Sequence, residues 1–174
     1  MLGAGAVGAL VVAGSAGVAD ARPRPAHSEK FEANKGFGVG LMLGAPSGLA
    51  LKYYLDDTHA IDGGIGVSRY TRGRDGVHLH IDYLWHPVQL ASADPFVVPL
   101  YLGIGARVFD FDDDDRDDGT AIGVRLPLGV ALDFNNVPLD IFLEGALVAD
   151  VIVSHRDNAD LDFNVALGAR YYFN

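Results

Sequence analysis

The sequence contains no cysteine, which excludes disulfides and thiolate metal centres. Positive charge is scarce, with 13 Lys and Arg against 23 Asp and Glu, so the formal net charge is −10. That acidity argues against a nucleic-acid partner. Also missing, after the first 19 residues, is any long uninterrupted apolar run that could form a membrane-spanning helix. Yet 49% of the residues are hydrophobic and 22 are glycine. High hydrophobicity without a helical span is odd for a soluble domain. It is ordinary for a membrane β-barrel, where apolar residues occupy alternating positions. At 174 residues the chain suits one domain with a closed core.

The first residues read as a secretory signal peptide, residues 1–21. Leu2 to Ala19 is apolar and rich in Gly and Ala, and Ala19-Asp20-Ala21 gives an A-x-A cleavage signature before Arg22. The basic n-region is missing, which leads us to expect a true start upstream of Met1. A single transmembrane anchor is the alternative, disfavoured by the shortage of Leu, Ile and Phe. Residues 22–35, "RPRPAHSEKFEANK", are polar with two prolines and read as a flexible lead-in. Residues 36–174 form the expected barrel.

From Gly36 onward a period-two pattern repeats eight times. Phe37, Val39, Leu41 and Leu43 oppose Gly38, Gly40 and Met42. Leu49, Leu51, Tyr53 and Leu55 oppose Ala50, Lys52 and Tyr54. Ile61, Gly63, Ile65 and Val67 oppose Asp62, Gly64, Gly66 and Ser68. Val77, Leu79, Ile81, Tyr83 and Trp85 oppose His78, His80, Asp82 and His86. The fifth run sets Leu100, Leu102, Ile104, Ala106 and Val108 against Tyr101, Gly103, Gly105 and Arg107. The sixth sets Ile122, Val124, Leu126, Leu128, Val130 and Leu132 against Gly123, Arg125, Pro127 and Gly129. In the seventh, Ile141, Leu143, Leu147, Val151 and Val153 oppose Glu144, Ala146 and Asp150. In the last, Leu161, Phe163, Val165, Leu167, Tyr171 and Phe173 oppose Asp162, Asn164, Gly168 and Arg170. Each run covers about 9–14 residues, where a tilted strand needs about 9–11 to cross the hydrocarbon layer.

A lipocalin-like carrier would place the apolar face inward. The polar faces argue otherwise: they are rich in glycine and alanine with scattered charges, the contents of a narrow interior, not of a wet exterior. The apolar faces are therefore expected to meet lipid. With the N-terminus periplasmic, Tyr53, Tyr83, Trp85, Phe134, Tyr171 and Phe173 fall at one level as an interfacial belt, while Phe163 is the clearest member of a thin upper one. Inner turns are expected at 56–59, 135–136 and, as a longer irregular connection broken by Pro87, Pro95 and Pro99, at 87–99. Outer loops are expected at 45–48, 69–76, 110–119 and 154–160.

In pattern, residues 36–173 resemble the small eight-stranded outer-membrane barrels of the OmpA and OmpX type. The stretches "GLMLGAPSGLALKYYL", "HAIDGG" and "HLHIDYLWHP" are similar to a family of bacterial outer-membrane barrels. The likeness implies architecture and location, not an activity. The last strand, ending in Phe173 before Asn174, is similar to the terminal signal read by the outer-membrane assembly machinery. The expected fold is all-β, an eight-stranded antiparallel up-and-down transmembrane β-barrel in the bacterial outer membrane. We expect it to be monomeric, with the lipid bilayer as its main partner. Its expected role is structural or surface-exposed, without a general pore and not enzymatic.

Inside such a barrel the histidines of "GVHLHIDYLWHP" admit three readings. Polar lumens are filled and paired, so His78, His80 and Asp82 fit an interior hydrogen-bond network. Counting along hairpins puts Glu144 across from Arg170, Asp150 diagonal to Arg125, Asp62 near Lys52, and Arg107 opposite His78 and His80 with Asp82 as its nearest acid. A zinc site is the second reading, because an H-x-H pair brings two imidazoles within reach of one ion; the nearby Arg107 opposes it. The third is a lipid-modifying hydrolase using a histidine with Ser68 or Ser154, although no G-x-S-x-G is present. No residue is expected to serve catalysis, a cofactor or a metal. The run "DFDDDDRDDG" at 110–119 carries seven Asp in ten residues. It reads as a solvated loop, with weak divalent-cation binding the sharper alternative.

Overall fold

The computed structural model describes residues 30–69, 75–113, 116–152 and 158–173. Alternation of large apolar and small or polar residues produces eight strands and, among the described residues, no helix. They are β1 (Phe37–Gly44), β2 (Ser47–Tyr54), β3 (His59–Arg69), β4 (Asp75–Ala93), β5 (Phe96–Asp113), β6 (Arg116–Phe134), β7 (Leu139–Ile152) and β8 (Asn158–Phe173). Each pairs antiparallel with its neighbours in sequence, and β1 pairs with β8, so the sheet closes into a ring. No open sheet edge remains where the eight strands overlap. Phe37 and Phe173 are register partners, so both ends of the sheet-forming chain lie at one end of the ring, called the lower end below.

The strands depart from the expected lengths. β1 and β2 have 8 residues each, whereas β4 and β6 have 19 and β5 has 18. The ring's wall is tall on one side and short on the other. At the short side, Gly44 has φ +131°, and the Ser47 hydroxyl closes the turn by donating to the Gly44 carbonyl at 3.0 Å. A side chain at Gly44 would meet the Val165 carbonyl, so glycine is required there.

The expected irregular connection at 87–99 is instead a continuation of β4 and β5 to a tight turn at Asp94 and Pro95. The prolines are absorbed by irregular pairing: register shifts fall between Trp85 and Val88 and between Gln89 and Ala91. Asn135 holds the tip from the β6 side, its side-chain amide donating to the Ala93 and Asp94 carbonyls at 3.2 and 3.0 Å. The acidic run is likewise mostly hairpin, since β5 reaches Asp113 and β6 starts at Arg116. Residues 114–115 and the side chains of 111–118, where cation binding was considered, lie outside the described residues, as do the signal segment and Ser154.

The two faces sort as the alternation expects. Leu43, Leu161 and Ile104 are 71%, 68% and 57% exposed, and every strand contributes large apolar side chains to the outer face. Charged residues Lys52, Asp62, Asp82, Arg107, Arg125, Glu144, Asp150 and Arg170 are buried inside. A lipocalin-type arrangement, apolar within, is the reverse of this.

Residues 30–35 differ from a flexible lead-in. Phe31 is fully buried, stacked on His86 (5.2 Å between ring centroids) and tilted against Tyr54 (5.9 Å). The Ala33 amide donates to the Asp57 carbonyl at 2.8 Å. This short segment stoppers the lower end because it carries one large apolar ring where the interior aromatics need a cover.

Candidate functional site

The only dense gathering of chemically capable side chains among the described residues is the ring's interior, which is built in three tiers. In the lowest, the Lys35 ammonium pairs with Asp133 and donates to the Phe134 carbonyl at 2.7 Å. Lys52 donates to His86 Nε2 at 2.8 Å and lies 4.8 and 4.9 Å from the Tyr54 and Tyr101 ring centroids. His86 Nδ1 is 3.0 Å from the Thr58 carbonyl, which can only accept. The proton therefore sits on Nδ1, and Nε2 is left to accept from the ammonium.

In the middle tier, Arg170 makes a two-pronged contact to Asp140, Nε and Nη2 donating at 3.2 and 3.1 Å, and its third nitrogen pairs with Asp62. Tyr172 donates its hydroxyl to the same Asp140 at 2.6 Å, and the guanidinium lies 4.0 Å from the Phe142 ring centroid. Arg125 binds Asp82 through Nε at 2.7 Å, Asn164 through Nη1 at 3.2 Å, and Glu144 through Nη2. In the upper tier, Arg107 pairs with Asp150 and with Asp162, the latter at 2.8 Å, and donates to Asn164 at 3.0 Å. The Asn164 carbonyl thus joins the Arg107 and Arg125 tiers. These planar, always-charged forks with several acceptors each match the way guanidinium groups tolerate burial.

Several of these contacts skip a strand. Arg125 on β6 reaches Asp82 on β4 across Gly105 of β5, and Arg107 on β5 reaches Asp150 on β7 across Gly123 of β6. A methyl group at Gly105 or Gly123 would stand 2.0 or 2.1 Å from the Asp82 or Asp150 oxygen. The inward glycines are notches for the long side chains of neighbouring strands.

This geometry corrects the pairings counted along hairpins. Arg170 faces Asp140 in register while Glu144 faces Ala166, so Glu144 belongs to Arg125 and not to Arg170. Asp62 is opposite Lys52 in register, as expected, but its carboxylate turns to Arg170. Arg107 does face His80, yet its acids are Asp150 and Asp162 rather than Asp82. Asp150 is diagonal to Arg125 but bonds Arg107. Asp133, Asp140 and Lys35 were not singled out from the sequence. The inward parity of Asp133 and Asp140 was a usable signal, whereas nothing marked Lys35.

The histidines separate from the carboxylate. His78 and His80 lie edge to face, with His78 Nε2 3.2 Å from His80 Nδ1, while Asp82 is held by Arg125. Among the described residues no group of three or more His, Asp or Glu side chains is placed to hold a metal ion. Ser68 is buried and, among the described residues, makes no hydrogen bond to a histidine. No family model, curated protein or solved structure matches this chain. What can be argued about its role therefore rests on the geometry.

Outside the interior, and among the described residues, Asp56 is clearly tuned. The Thr58 amide, the His59 side chain and the His59 amide all donate to Asp56 in the β2–β3 turn, at 2.8, 3.0 and 2.8 Å. The Thr58 amide contributes most to lowering its carboxyl from 3.8 to about 2.

Proposed function

We propose that the protein is an integral outer-membrane β-barrel with a structural or surface-exposed envelope role, its interior filled rather than open. The observation that carries this reading is the inversion of polarity. Large apolar side chains crowd the outer face of all eight strands, while arginines and carboxylates are paired within. A soluble monomer rarely exposes an apolar patch beyond a few hundred Å². A ring of strands paired all the way round, with β1 closing on β8, is one of the two architectures that can stand in hydrocarbon. Phe37, Tyr53, Tyr83, Trp85, Tyr171 and Phe173 gather at the lower end on the outer face, where an interfacial belt would sit.

Two further features support a filled interior. The three tiers of ion pairs cross the ring from strand to strand, and Phe31 stoppers the lower end. Envelope fractionation combined with gel mobility before and after boiling tests the proposal. Recovery with outer membranes, resistance to high-salt extraction and a heat-modifiable band are expected. A detergent-free soluble monomer would overturn it.

A further inference from the structure

The apolar outer wall sinks at one place on β3. Register carries a row of outward residues across five strands: Leu51, Gly63, Ile81, Ala106 and Val124. The row reads large, absent, large, small, large. Along β3 the neighbours of Gly63 on the same face are Ile61 and Ile65, so the glycine is a pit with aliphatic side chains on four sides. Neither backbone nor packing demands a glycine there. Its φ lies outside the left-handed region, and among the described residues a methyl group would meet only the His80 carbonyl oxygen, at 3.3 Å. The other outward glycine of the described strands, Gly145, is roofed by the Phe163 ring, 3.2 Å from where a Cβ would stand. Among the described residues no side chain roofs Gly63 in this way.

The pit opens into a groove of about 540 Å³ that crosses the wall from Phe37 of β1 to Ile122 of β6. That volume falls within the ~300–1,000 Å³ of small-molecule sites. The outward side chains along it are aliphatic, with Phe37 and Tyr53 at its lower end, and the polar residues between them are turned inward and buried. Above Tyr53 the groove offers no partner for a charge or a hydroxyl. Its chemistry therefore selects hydrocarbon.

We propose that this groove holds one acyl chain of a phospholipid from the leaflet at the lower end, seated over Gly63 with its headgroup at the level of Tyr53. The proposal rests on the membrane reading above and adds a place and a leaflet to it. Two observations choose this occupant. The groove follows a convex wall from β1 to β6, which a flexible chain can do. A second copy cannot: two stiff convex rings touch along a narrow line, short of the roughly 800 Å² per partner that a stable interface buries. The groove is also continuous with the aromatic belt. Tyr53 stands two residues, about 7 Å, below Leu51, the register partner of Gly63. Its phenol is half exposed at the level where headgroups begin.

Filling the pit gives the test. Full-length wild type, Gly63→Leu and Val151→Leu are each recovered from membranes as a heat-modifiable barrel, and Val151→Leu enlarges the outer face on the opposite side of the ring. Each is titrated with dioleoylphosphatidylethanolamine in mild detergent, and one-lipid adducts are counted by native mass spectrometry. Wild type and Val151→Leu should hold the first lipid at least tenfold more tightly than Gly63→Leu. If Gly63→Leu loses the barrel, Ala106→Leu, which fills the companion dip beside Ile81, is read in its place with the same expectation. Equal adducts in all membrane-recovered variants would overturn this proposal alone. A dimer abolished by Gly63→Leu, in place of a lipid adduct, would give the groove to a second copy and overturn it too. Recovery of wild type as a detergent-free soluble monomer would overturn the membrane reading and this proposal with it.

Discussion

Replacing Arg125 by methionine is the sharpest probe of the buried network. The guanidinium is almost wholly buried and serves Asp82, Glu144 and Asn164 at once. Methionine fills much of the same volume, so the loss is electrostatic rather than a cavity. Asp82 and Glu144, 1% and 5% exposed, would be stranded without that cation. Removing one partner of a buried pair costs about 3–5 kcal/mol, a shift of roughly two to three and a half orders of magnitude in the folding equilibrium. Neutralising the partners as well, with Asp82→Asn and Glu144→Gln beside Arg125→Met, removes the stranded charges while keeping acceptors for hydrogen bonds. That triple variant should recover most of the loss. Urea titration of protein folded in lipid vesicles, followed through the lone tryptophan, Trp85, gives both numbers by linear extrapolation. A loss below about 1 kcal/mol for Arg125→Met, or a triple variant no better than the single one, would refute the claim that these carboxylates depend on Arg125.

Ile104→Arg should destabilise the protein in lipid by about 2–4 kcal/mol, because Ile104 lies mid-strand on the outer face; folding as stable as wild type in the same urea titration would contradict the lipid-facing assignment. Replacing His78 and His80 by Gln should leave the fold intact, since Gln keeps a donor and an acceptor, and zinc should leave the unfolding temperature of wild type unchanged; a zinc-dependent rise confined to wild type would reinstate a metal site. Asp56 is ionised more readily folded than unfolded, so its contribution is full above about pH 4 and fades as pH falls toward about 2. Melts of wild type and Asp56→Asn across that range should converge at the acidic end, and a constant gap would show that the turn does not depend on the charge.

Which residues face in and which face out was legible from alternation alone, because a strand's period of two leaves no freedom once one face is chosen. Who pairs with whom was not. The offset between β7 and β8 depends on how their connection closes, and moving the count by four residues exchanges Glu144 for Asp140 opposite Arg170. Arg125–Asp82 and Arg107–Asp150 join strands that are not neighbours in sequence, so hairpin counting had no access to them. Inward Gly105 and Gly123 were visible in the sequence as small residues in a crowded interior, but their use as notches requires knowing which long side chain lies beside them. The hairpin spanning 87–99 was hidden by its prolines, which a bulged edge absorbs and a regular strand does not. Phe31 and Lys35 sit in a stretch whose composition reads as linker, and only the geometry of the lower end gives them a place.

The unequal strands have a consequence for whatever surrounds the ring. Eight residues of β1 or β2 reach about 27 Å along the strand, and a tilt near 40° reduces this to about 20 Å of height, less than the roughly 25 Å apolar band of an outer-membrane barrel. The 18 and 19 residues of β5, β4 and β6 overshoot that band. Set in a bilayer, such a bevelled cylinder meets two thicknesses at once, and lipids beside β1 and β2 must shorten or tilt to match while those beside β5 need not. The bilayer would then carry a lopsided dimple, with a built-in direction in the plane of the membrane, and neighbouring proteins that share a thin apolar belt would gather on the β1–β2 side.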